Sequence, residues 1–324
     1  MNNQIFDIKS EEEFKETALD IFNFQVKNNE VYGRFVNYLG LKPENVRELE
    51  QIPFLPIQFF KSEKIVSTKD TVKQIFLSSG TTGSVQSKHF VTDLNIYEES
   101  YLKAFEQFYG NIEEYTVLAL LPSYLEREGS SLIYMVDDLI QKSKNPKSGF
   151  YLHNLSELKE TLIDLDNKGK KVLLIGVSFA LLDLIEAFHF QLKNTIVMET
   201  GGMKGKRKEM IRTELHEVLK KGFGISEIHS EYGMTELLSQ AYSKGHGVFE
   251  TPSWMKILIR NTEDPFEIFG NKRAGGMNVI DLANVNSCSF IATQDLGKKL
   301  DTNLFEILGR FDNSDIRGCN LLIQ

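Results

Sequence analysis

The sequence predicts an α/β fold of layered, mainly parallel sheets covered by helices, with a smaller β-rich part near the C-terminus. The first observation is an alternation of short apolar runs with longer amphipathic stretches between residues 73 and 229, typical of βαβ units. The second is a change after Trp254, where short strand-like runs separated by turns replace this alternation. The third is composition, since a chain of 324 residues that is 41% hydrophobic can fill a sizeable core.

Each predicted element follows from a local pattern. A helical region over residues 10–40 begins with Ser10 and three glutamates, which resemble a capping box, and continues with apolar residues at helical spacing. The next predicted strands are Lys73–Leu77, Thr116–Leu121, Lys171–Ile175, Thr195–Met198 and Ile225–His229. The helices between them are Ile96–Phe108, Leu132–Ile140, Phe179–Phe190 and Lys206–Leu219. The strands of the β-rich part are Met255–Ile259, Gly276–Asp281, Ser289–Ala292 and Leu304–Leu308.

Composition disfavours several classes of protein. The formal net charge is −8 and the densest basic cluster spans only Lys204–Lys208, whereas a general nucleic-acid binder needs a more basic surface. Two cysteines, Cys288 and Cys319, are too few for a disulfide framework. The N-terminus shows no signal peptide, and no apolar run approaches the roughly 18–20 residues that span a bilayer. We therefore expect a cytoplasmic protein without a membrane span or a nucleic-acid partner.

A loop of small polar residues follows the first of these strands. Every residue after Leu77 in the stretch LSSGTTGS, which ends at Ser84, is Ser, Thr or Gly. Backbone N–H groups without Cβ obstruction, together with hydroxyls, can bind phosphate oxygens, although a flexible linker has the same composition. The stretch is not a Walker A loop, because Val85 and Gln86 stand where that pattern has Gly and Lys.

A second motif, Ser230–Glu236, reads SEYGMTE and also follows a short apolar run. Together, the loop and this motif resemble the adenylate-forming superfamily, which comprises the acyl- and aryl-CoA ligases and their relatives. The resemblance implies that Thr235 contacts the adenylate phosphate, that Glu236 holds Mg²⁺, and that Tyr232 and Gly233 belong to the nucleotide site. It also implies that the ATP phosphates are held by Ser79, Gly80, Thr81, Thr82, Gly83 and Ser84.

Further motifs of the superfamily follow in the same order. Gly201 and Gly202 resemble its Gly-Gly turn against the adenine, while Asp295 and Arg310 resemble the residues that bind the ribose hydroxyls. One departure concerns the lysine that usually follows the phosphate loop. Here Lys88 comes two residues later, and we expect it to reach the phosphates.

One branch of the superfamily, the acyl-protein synthetases of bacterial luminescence fatty acid reductase systems, resembles nearly the whole chain. Those enzymes transfer the acyl group to a cysteine near their own C-terminus, which corresponds here to Cys319. The resemblance implies a catalytic domain over residues 1–308, with a β-rich subregion at about 250–308. It also implies a tail over residues 309–324 that carries Cys319, without the usual mobile C-terminal domain.

The function implied is ATP-dependent activation of a carboxylic acid, expected to be a fatty acid, with Mg²⁺ as cofactor. The acyl-adenylate would then acylate Cys319, because a thiolate attacks a mixed anhydride readily. A partner reductase or acyl-carrier protein would receive the acyl group. The alternatives are an acyl- or aryl-CoA ligase-like enzyme, and a non-catalytic protein that binds a nucleotide or an acyl-adenylate and needs a partner. A serine hydrolase using Ser178, within Gly176–Ala180, is a further alternative.

Overall fold

The computed structural model describes residues 2–79, 85–122, 129–201, 207 and 210–311. The helices of these residues are α1 (Glu11–Asn28), α2 (Glu30–Tyr38), α3 (Phe59–Ser62), α4 (Leu94–Tyr109), α5 (Ser131–Lys142), α6 (Leu155–Asn167), α7 (Ser178–Ala187) and α8 (Arg212–Phe223). The first strands are β1 (Leu55–Pro56), β2 (Gln74–Leu77), β3 (Lys88–Val91), β4 (Tyr115–Leu120), β5 (Gly149–Phe150), β6 (Lys171–Gly176), β7 (Thr195–Glu199) and β8 (His229–Tyr232). The remaining strands are β9 (Ala241–Ser243), β10 (Val248–Glu250), β11 (Met255–Arg260), β12 (Ile268–Phe269), β13 (Ala274–Asp281), β14 (Phe290–Lys299) and β15 (Leu304–Arg310).

One sheet runs through most of the described chain. Its strand order is β12-β11-β13-β14-β15-β10-β9-β8-β7-β6-β4-β5, with β1 beside β14, while β2 and β3 form a separate antiparallel pair. The neighbours from β5 to β8 are parallel, and each neighbouring pair from β8 to β12 is antiparallel. The predicted α/β class is therefore confirmed, but the sheet is mixed rather than mainly parallel. The direction changes because the short connection from β8 to β9 holds no crossover helix, which a parallel pairing requires.

The predicted helical region over residues 10–40 consists of two helices. Ser10 caps α1 by accepting a hydrogen bond from the Glu13 N–H at 3.2 Å, as the capping-box pattern indicates. Asn29 ends α1, and its side chain caps α2 by accepting from the Tyr32 N–H at 3.0 Å. Within the described part of the chain, no helix is both long enough and apolar enough to cross a lipid bilayer.

The last strand of the parallel region lies later than predicted. Gly224 ends α8 with a φ of 70°, in the left-handed region that glycine favours, and its N–H donates to the Lys220 carbonyl. Residues 225–228 connect α8 to the sheet, and strand β8 begins only at His229. The apolar Ile228 in this connection is fully buried. The segment Ser230–Tyr232 is thus strand, and only the end of the SEYGMTE motif is a turn.

The core lies around the parallel strands. Every residue of β4 is buried, as are all residues of β6 after Lys171, because helices cover both faces of this part of the sheet. The carboxyl ends of β4, β6, β7 and β8 lie at one edge of the sheet. Ligand sites of open α/β sheets form at this edge.

Candidate active site

A cavity of about 330 Å³ lies at this edge, and both predicted motifs line it. We call it the motif cleft. The first motif contributes Ser78 and Ser79, and the second contributes Gly233, Thr235 and Glu236. The other residues that line it include Lys61, Ser87, Tyr97, Ser130, Ser131, Met135, Thr200, Glu231, Gln240 and Arg310. The two segments that the sequence resemblance singles out therefore meet in one cavity.

The residues on either side of the predicted phosphate loop are hydrogen-bonded to each other. The Ser78 N–H donates to the Ser87 carbonyl at 3.1 Å, and the Ser87 N–H donates to Ser78 Oγ at 2.9 Å. The Ser87 side chain also hydrogen-bonds the Glu236 carboxylate. One buried serine thus links the loop segment directly to the second motif.

Several predicted site residues lie outside the described residues. They are Gly80, Thr81, Thr82, Gly83, Ser84, Gly202 and Cys319. Their roles stay predictions. Of the predicted phosphate-binding set, the structure describes Ser79, which is exposed and lines the motif cleft.

A buried polar pair holds the turn that carries Thr235 and Glu236. His89 Nδ1 lies 2.8 Å from the Thr235 carbonyl oxygen and its Nε2 lies 3.0 Å from Asn284 Oδ1, so both ring nitrogens face acceptors. Asn284 Nδ2 donates to the Glu236 carbonyl at 2.7 Å. Burial lowers the pKa of His89 to about 4, despite its hydrogen bonds to Thr235 and Asn284. The neutral imidazole carries one N–H, so it donates to one of these two oxygens and packs against the other beneath the turn.

Tyr232, Asp295 and Arg310 converge beside the cleft, although they belong to three different strands. The Tyr232 hydroxyl donates to Asp295 Oδ2 at 2.8 Å, and Arg310 Nε lies 3.7 Å from Asp295 Oδ1. The pairing of β14 with β15 places Asp295 opposite Arg310. Burial raises the pKa of Asp295, and the Tyr232 hydrogen bond and the Arg310 charge oppose that rise. The structure thus brings together three of the predicted nucleotide-binding residues.

Glu236 is the predicted Mg²⁺ ligand and is 5% exposed. Burial raises its pKa, and the hydrogen bond from Ser87 opposes that rise. Among the described residues, no group of three or more His, Cys, Asp or Glu side chains is arranged to hold a metal ion. Mg²⁺ is commonly held by one or two carboxylates together with substrate phosphates and waters. A single carboxylate in a cleft that both predicted motifs line fits a cation that arrives with a nucleotide.

Two lysines are candidates for contacting phosphate oxygens. Lys88, the predicted residue, begins β3 opposite Leu77, is exposed, and is not among the described residues that line the motif cleft. Lys61, near the end of α3, does line it. The sequence alone does not single out Lys61, because α3 is brought to the cleft by tertiary packing.

The predicted adenine-side turn follows β7. The Gly201 N–H donates to Glu199 Oε2 at 2.6 Å, and Gly201 has a φ of 77°, which favours glycine. Burial alone would raise the pKa of Glu199, but the His216 hydrogen bond and the Arg212 charge lower it overall. Gly201 thus occupies a left-handed turn and has a hydrogen-bond partner in the Glu199 carboxylate, while the preceding Thr200 lines the cleft.

The alternative nucleophile Ser178 is 2% exposed and begins α7. Its Oγ donates to Glu199 Oε2 at 3.5 Å, while His216 contacts the other oxygen of that carboxylate, with Nε2 3.6 Å from Oε1. No histidine within the described ranges hydrogen-bonds Ser178. A hydrolytic triad needs an imidazole in contact with the serine, so this geometry does not support a hydrolase.

Glu231 and Gln240 also line the motif cleft; Glu231 lies within the SEYGMTE motif, but no role is predicted from the sequence for either residue. Ser230 and Tyr232 are buried, and Glu231 stands between them on β8. The available signal for Glu231 is its position between two buried residues of a strand. Alternate side chains of a strand point to opposite faces, so the Glu231 carboxyl group lies on the other face from these two neighbours.

A second cavity, of about 780 Å³, lies beside the start of β14. We call it the large cavity. Its apolar wall includes Phe35, Ile52, Phe54, Phe266 and Phe311, and Arg260 and Gln294 contribute polar groups. Arg310 lines the motif cleft while the next residue, Phe311, lines the large cavity, so the two cavities are neighbours.

No protein-family model and no curated protein matches the sequence, whereas many solved structures match the fold. ATP-bound MatB from Rhodopseudomonas palustris has a TM-score of 0.54 and 15% identity over 75% of this chain. The chain spans about half the length of that protein, 49%.

Structures of 2-hydroxyisobutyryl-CoA ligase match more of the chain. A complex in the postadenylation state has a TM-score of 0.66 and 9% identity, covering 96% of this chain and 70% of that one. A complex with 2-HIB-AMP and CoA has a TM-score of 0.65 and 11% identity, covering 96% and 71%. At these identities the likeness establishes the fold, and this chain has the α/β fold found in these acid–CoA ligases.

Proposed function

We propose that this protein activates a carboxylic acid with ATP, giving an acyl-adenylate and pyrophosphate, and transfers the acyl group to a thiol. The supporting observation is that Ser78 and Ser79 share the motif cleft with Thr235 and Glu236, joined through Ser87. The neighbours add support, because MatB is ATP-bound and the CoA ligase holds 2-HIB-AMP. A fatty acid is the substrate that the sequence resemblance implies.

In the proposed first step, a carboxylate oxygen of the acid attacks the α-phosphorus of ATP. The bond from that phosphorus to the bridging oxygen breaks, and pyrophosphate leaves with the electron pair. Thr235 positions the α-phosphate, while Ser79 and residues 80–84 donate hydrogen bonds to the departing phosphates. A Mg²⁺ ion bound at Glu236 supplies positive charge that offsets the phosphate charge.

The remaining predicted residues orient the nucleotide. Asp295 accepts hydrogen bonds from the ribose hydroxyls, and Arg310, Tyr232 and Gly233 complete that side of the site. The Gly201 turn, with residue 202, packs against the adenine. These roles need residues from both the parallel and the antiparallel part of the sheet. The hydrogen-bonded strand pairs β8–β9 and β14–β15 belong to the one sheet that contains both parts.

In the proposed second step, the Cys319 thiolate attacks the acyl carbon, AMP leaves, and a thioester forms. Cys288, the other cysteine, is fully buried, and burial raises the pKa of its thiol to about 12, so it makes a poor nucleophile. A reductase or an acyl-carrier protein would then accept the acyl group.

Exchange of labelled pyrophosphate into ATP tests the first step, and intact-protein mass spectrometry tests the second. We expect exchange that depends on a carboxylic acid, and an acyl adduct that forms with ATP and acid. Cys319→Ser should keep exchange and lose the adduct, while Cys288→Ala should keep both. Absence of exchange with every acid tested would contradict the proposal.

CoA is a second candidate acceptor, because the ligase structure that covers 96% of this chain holds CoA beside 2-HIB-AMP. If CoA is the acceptor, acyl-CoA appears in solution and Cys319→Ser leaves its formation unchanged. A protein that only binds nucleotide or acyl-adenylate gives neither product, even though ATP binds.

A further inference from the structure

One corner of the motif cleft contains polar groups that the proposed chemistry does not use. The Glu231 carboxyl group lines the cleft and accepts no hydrogen bond from any described residue. Gln240 is 4% exposed, and its Oε1 is buried without a hydrogen-bond partner among the described residues. Buried polar groups in native proteins are nearly always paired, so the unpaired Gln240 Oε1, beside the half-buried Glu231 carboxyl group in a cleft, indicates a ligand.

The two side chains lie close together. A Cβ atom built on Gly233 would lie 2.5 Å from Glu231 Oε1 and 3.3 Å from Gln240 Cγ. Both side chains therefore flank the same point of the turn after β8, next to the predicted phosphate-binding residues. A substrate acid whose carboxylate reaches the α-phosphate at Thr235 would place its other end within this lining.

The surroundings keep Glu231 protonated. Burial, with a further contribution from the Glu199 charge on β7, raises the pKa of Glu231 to about 8. The buried side chains of Tyr97 on α4 and Tyr242 on β9 lie near it. The other charged groups that line the cleft are Lys61, Glu236 and Arg310. At neutral pH Glu231 therefore offers one O–H donor, and Gln240 Oε1 offers an acceptor.

We propose that this corner binds a hydroxyl group of the substrate, so that the acid activated here is a hydroxy acid. The Glu231 O–H donates to the hydroxyl oxygen, and the substrate hydroxyl donates to Gln240 Oε1. A plain alkyl chain would leave the buried Gln240 Oε1 unpaired and would cover the half-buried Glu231 carboxyl group without a hydrogen bond, and both effects cost free energy. An ammonium group has only donors, and could not accept the Glu231 proton. This inference rests on the proposed function for the activation step.

Pyrophosphate exchange with matched acids tests the inference. The panel pairs butanoic acid with its 3-hydroxy, 4-hydroxy and 4-amino derivatives, and hexanoic acid with its 6-hydroxy and 6-amino derivatives. At pH 7 we expect a hydroxy acid to exceed its alkanoic partner by about 10–100-fold in exchange efficiency, because the partner leaves Gln240 Oε1 unpaired and covers the Glu231 carboxyl group without a hydrogen bond. A preference for the alkanoic or the amino acid overturns the inference.

Substitutions of Glu231 and Gln240 test whether these two side chains cause the preference for hydroxy acids. Glu231→Leu and Gln240→Leu should each reduce it by about 10-fold, whereas Glu231→Gln should retain most of it, because the amide N–H can donate. Glu106→Leu, at an exposed position on α4, is the matched control and should leave the preference unchanged. If Glu231→Leu fails to fold by circular dichroism, Glu231→Gln and Gln240→Leu carry the test. An unchanged preference in Gln240→Leu contradicts the assignment.

Equilibrium dialysis with labelled hydroxy acids and ATP separates this inference from the proposed function. Exchange with alkanoic acids alone upholds the function and overturns the inference. Binding of a hydroxy acid that Gln240→Leu weakens, without exchange for any acid, upholds the inference and overturns the function. If no hydroxy acid is bound or activated, the inference is wrong.

Discussion

The two neighbouring cavities differ in size and in chemistry: the larger one has the more apolar lining, and the smaller one has the more polar lining. The large cavity, about 780 Å³, is walled mainly by aromatic and aliphatic side chains, such as Phe54 and Phe266. The motif cleft, less than half as large at about 330 Å³, is lined by Lys61, Glu231 and Glu236 among other polar groups. Convergent polar groups, rather than volume, are expected where a charged substrate reacts, so we assign the proposed reaction to the motif cleft.

Substitutions in the two cavities should therefore differ sharply. The largest effect is expected for Glu236→Gln, which removes the proposed Mg²⁺ ligand while preserving size and the contact with Ser87. We expect acid-dependent pyrophosphate exchange to fall by about 10²–10³-fold, since charge compensation in a buried site is a large catalytic term. Glu250→Gln, at an exposed position on β10, is the control and should exchange normally.

A loss of less than about 3-fold in Glu236→Gln would contradict the role of Glu236. A thermal unfolding curve for each variant shows whether the fold is retained.

The second prediction compares the two lysines. Lys61→Met should lower exchange by about 10–100-fold, mainly through a higher KM for ATP, because the Lys61 side chain lines the cleft. Both lysines are exposed, but Lys88→Met should have a smaller effect, up to about 10-fold, since Lys88 is not among the described residues that line the cleft. Steady-state exchange kinetics over a range of ATP concentrations measure both. The reverse order would assign the phosphate contact to Lys88.

The third prediction concerns Asn284, which supports the turn that carries Thr235 and Glu236. Asn284→Ala leaves the Glu236 carbonyl and one nitrogen of His89 without their partners, and both groups are buried. We expect the free energy of unfolding to fall by about 1–3 kcal/mol, and exchange to fall by about 10-fold because the turn loses its position. Urea denaturation measures the first effect.

Asn23→Ala, at an exposed position on α1, should change stability by less than about 0.5 kcal/mol. Equal effects of the two variants would show that the buried Asn284 does not hold the turn.

The fourth prediction uses the pH dependence of stability. Glu231 has a raised pKa of about 8 in the folded protein, so between its ordinary value of 4.5 and 8 the unfolded chain ionises while the folded chain stays protonated. This group therefore makes stability fall as pH rises through that window. Glu231→Gln should flatten the decline, and Glu106→Gln should not. Urea unfolding at pH 5, 6, 7 and 8 tests this, and an equal slope in all three proteins would contradict it.

His89 acts in the opposite direction at lower pH. Its pKa is lowered to about 4 in the folded protein, against an ordinary value of 6.5, so the unfolded chain binds the proton first. Stability should therefore fall as pH drops from 6.5 to 4. The two groups together predict a maximum between acidic and neutral pH.

The smallest effect is expected in the large cavity. Phe266→Ser removes an aromatic side chain that is 59% exposed, so stability should change by about 0.5 kcal/mol or less and exchange by less than about 2-fold. Exchange assays under the conditions used for Glu236→Gln check this. A large loss would show that the large cavity takes part in the reaction, and would remove the contrast between the two cavities.

Much of the fold is predictable from the sequence because its signals are local. The apolar runs of β4, β6 and β7 are buried on both faces and read as strands without further information. In contrast, β9 and β10 have three residues each, and only their pairing with neighbouring strands defines them. Local patterns predict strands that overlap β11, β13, β14 and β15, but they do not reveal that β9 and β10 join these strands to the parallel half in one sheet.

The residues of the candidate site also divide into those that the sequence predicts and those that it does not. Thr235 and Glu236 stand in a motif whose order along the chain is informative, and the structure places them in one cleft with Ser79. Lys61 and Gln240 reach that cleft only through tertiary packing, so no spacing in the sequence indicates them. Lys61 is identified by its place in the lining of the cleft, and Gln240 by its buried Oε1 without a partner among the described residues.

The most direct test of the central claim is the incorporation of labelled pyrophosphate into ATP by the unmodified protein, with and without each acid of the panel. Binding and activation in the motif cleft predict label in ATP only when an acid is present, and its loss in Glu236→Gln. Label that appears without any acid, or in no condition at all, would contradict the claim.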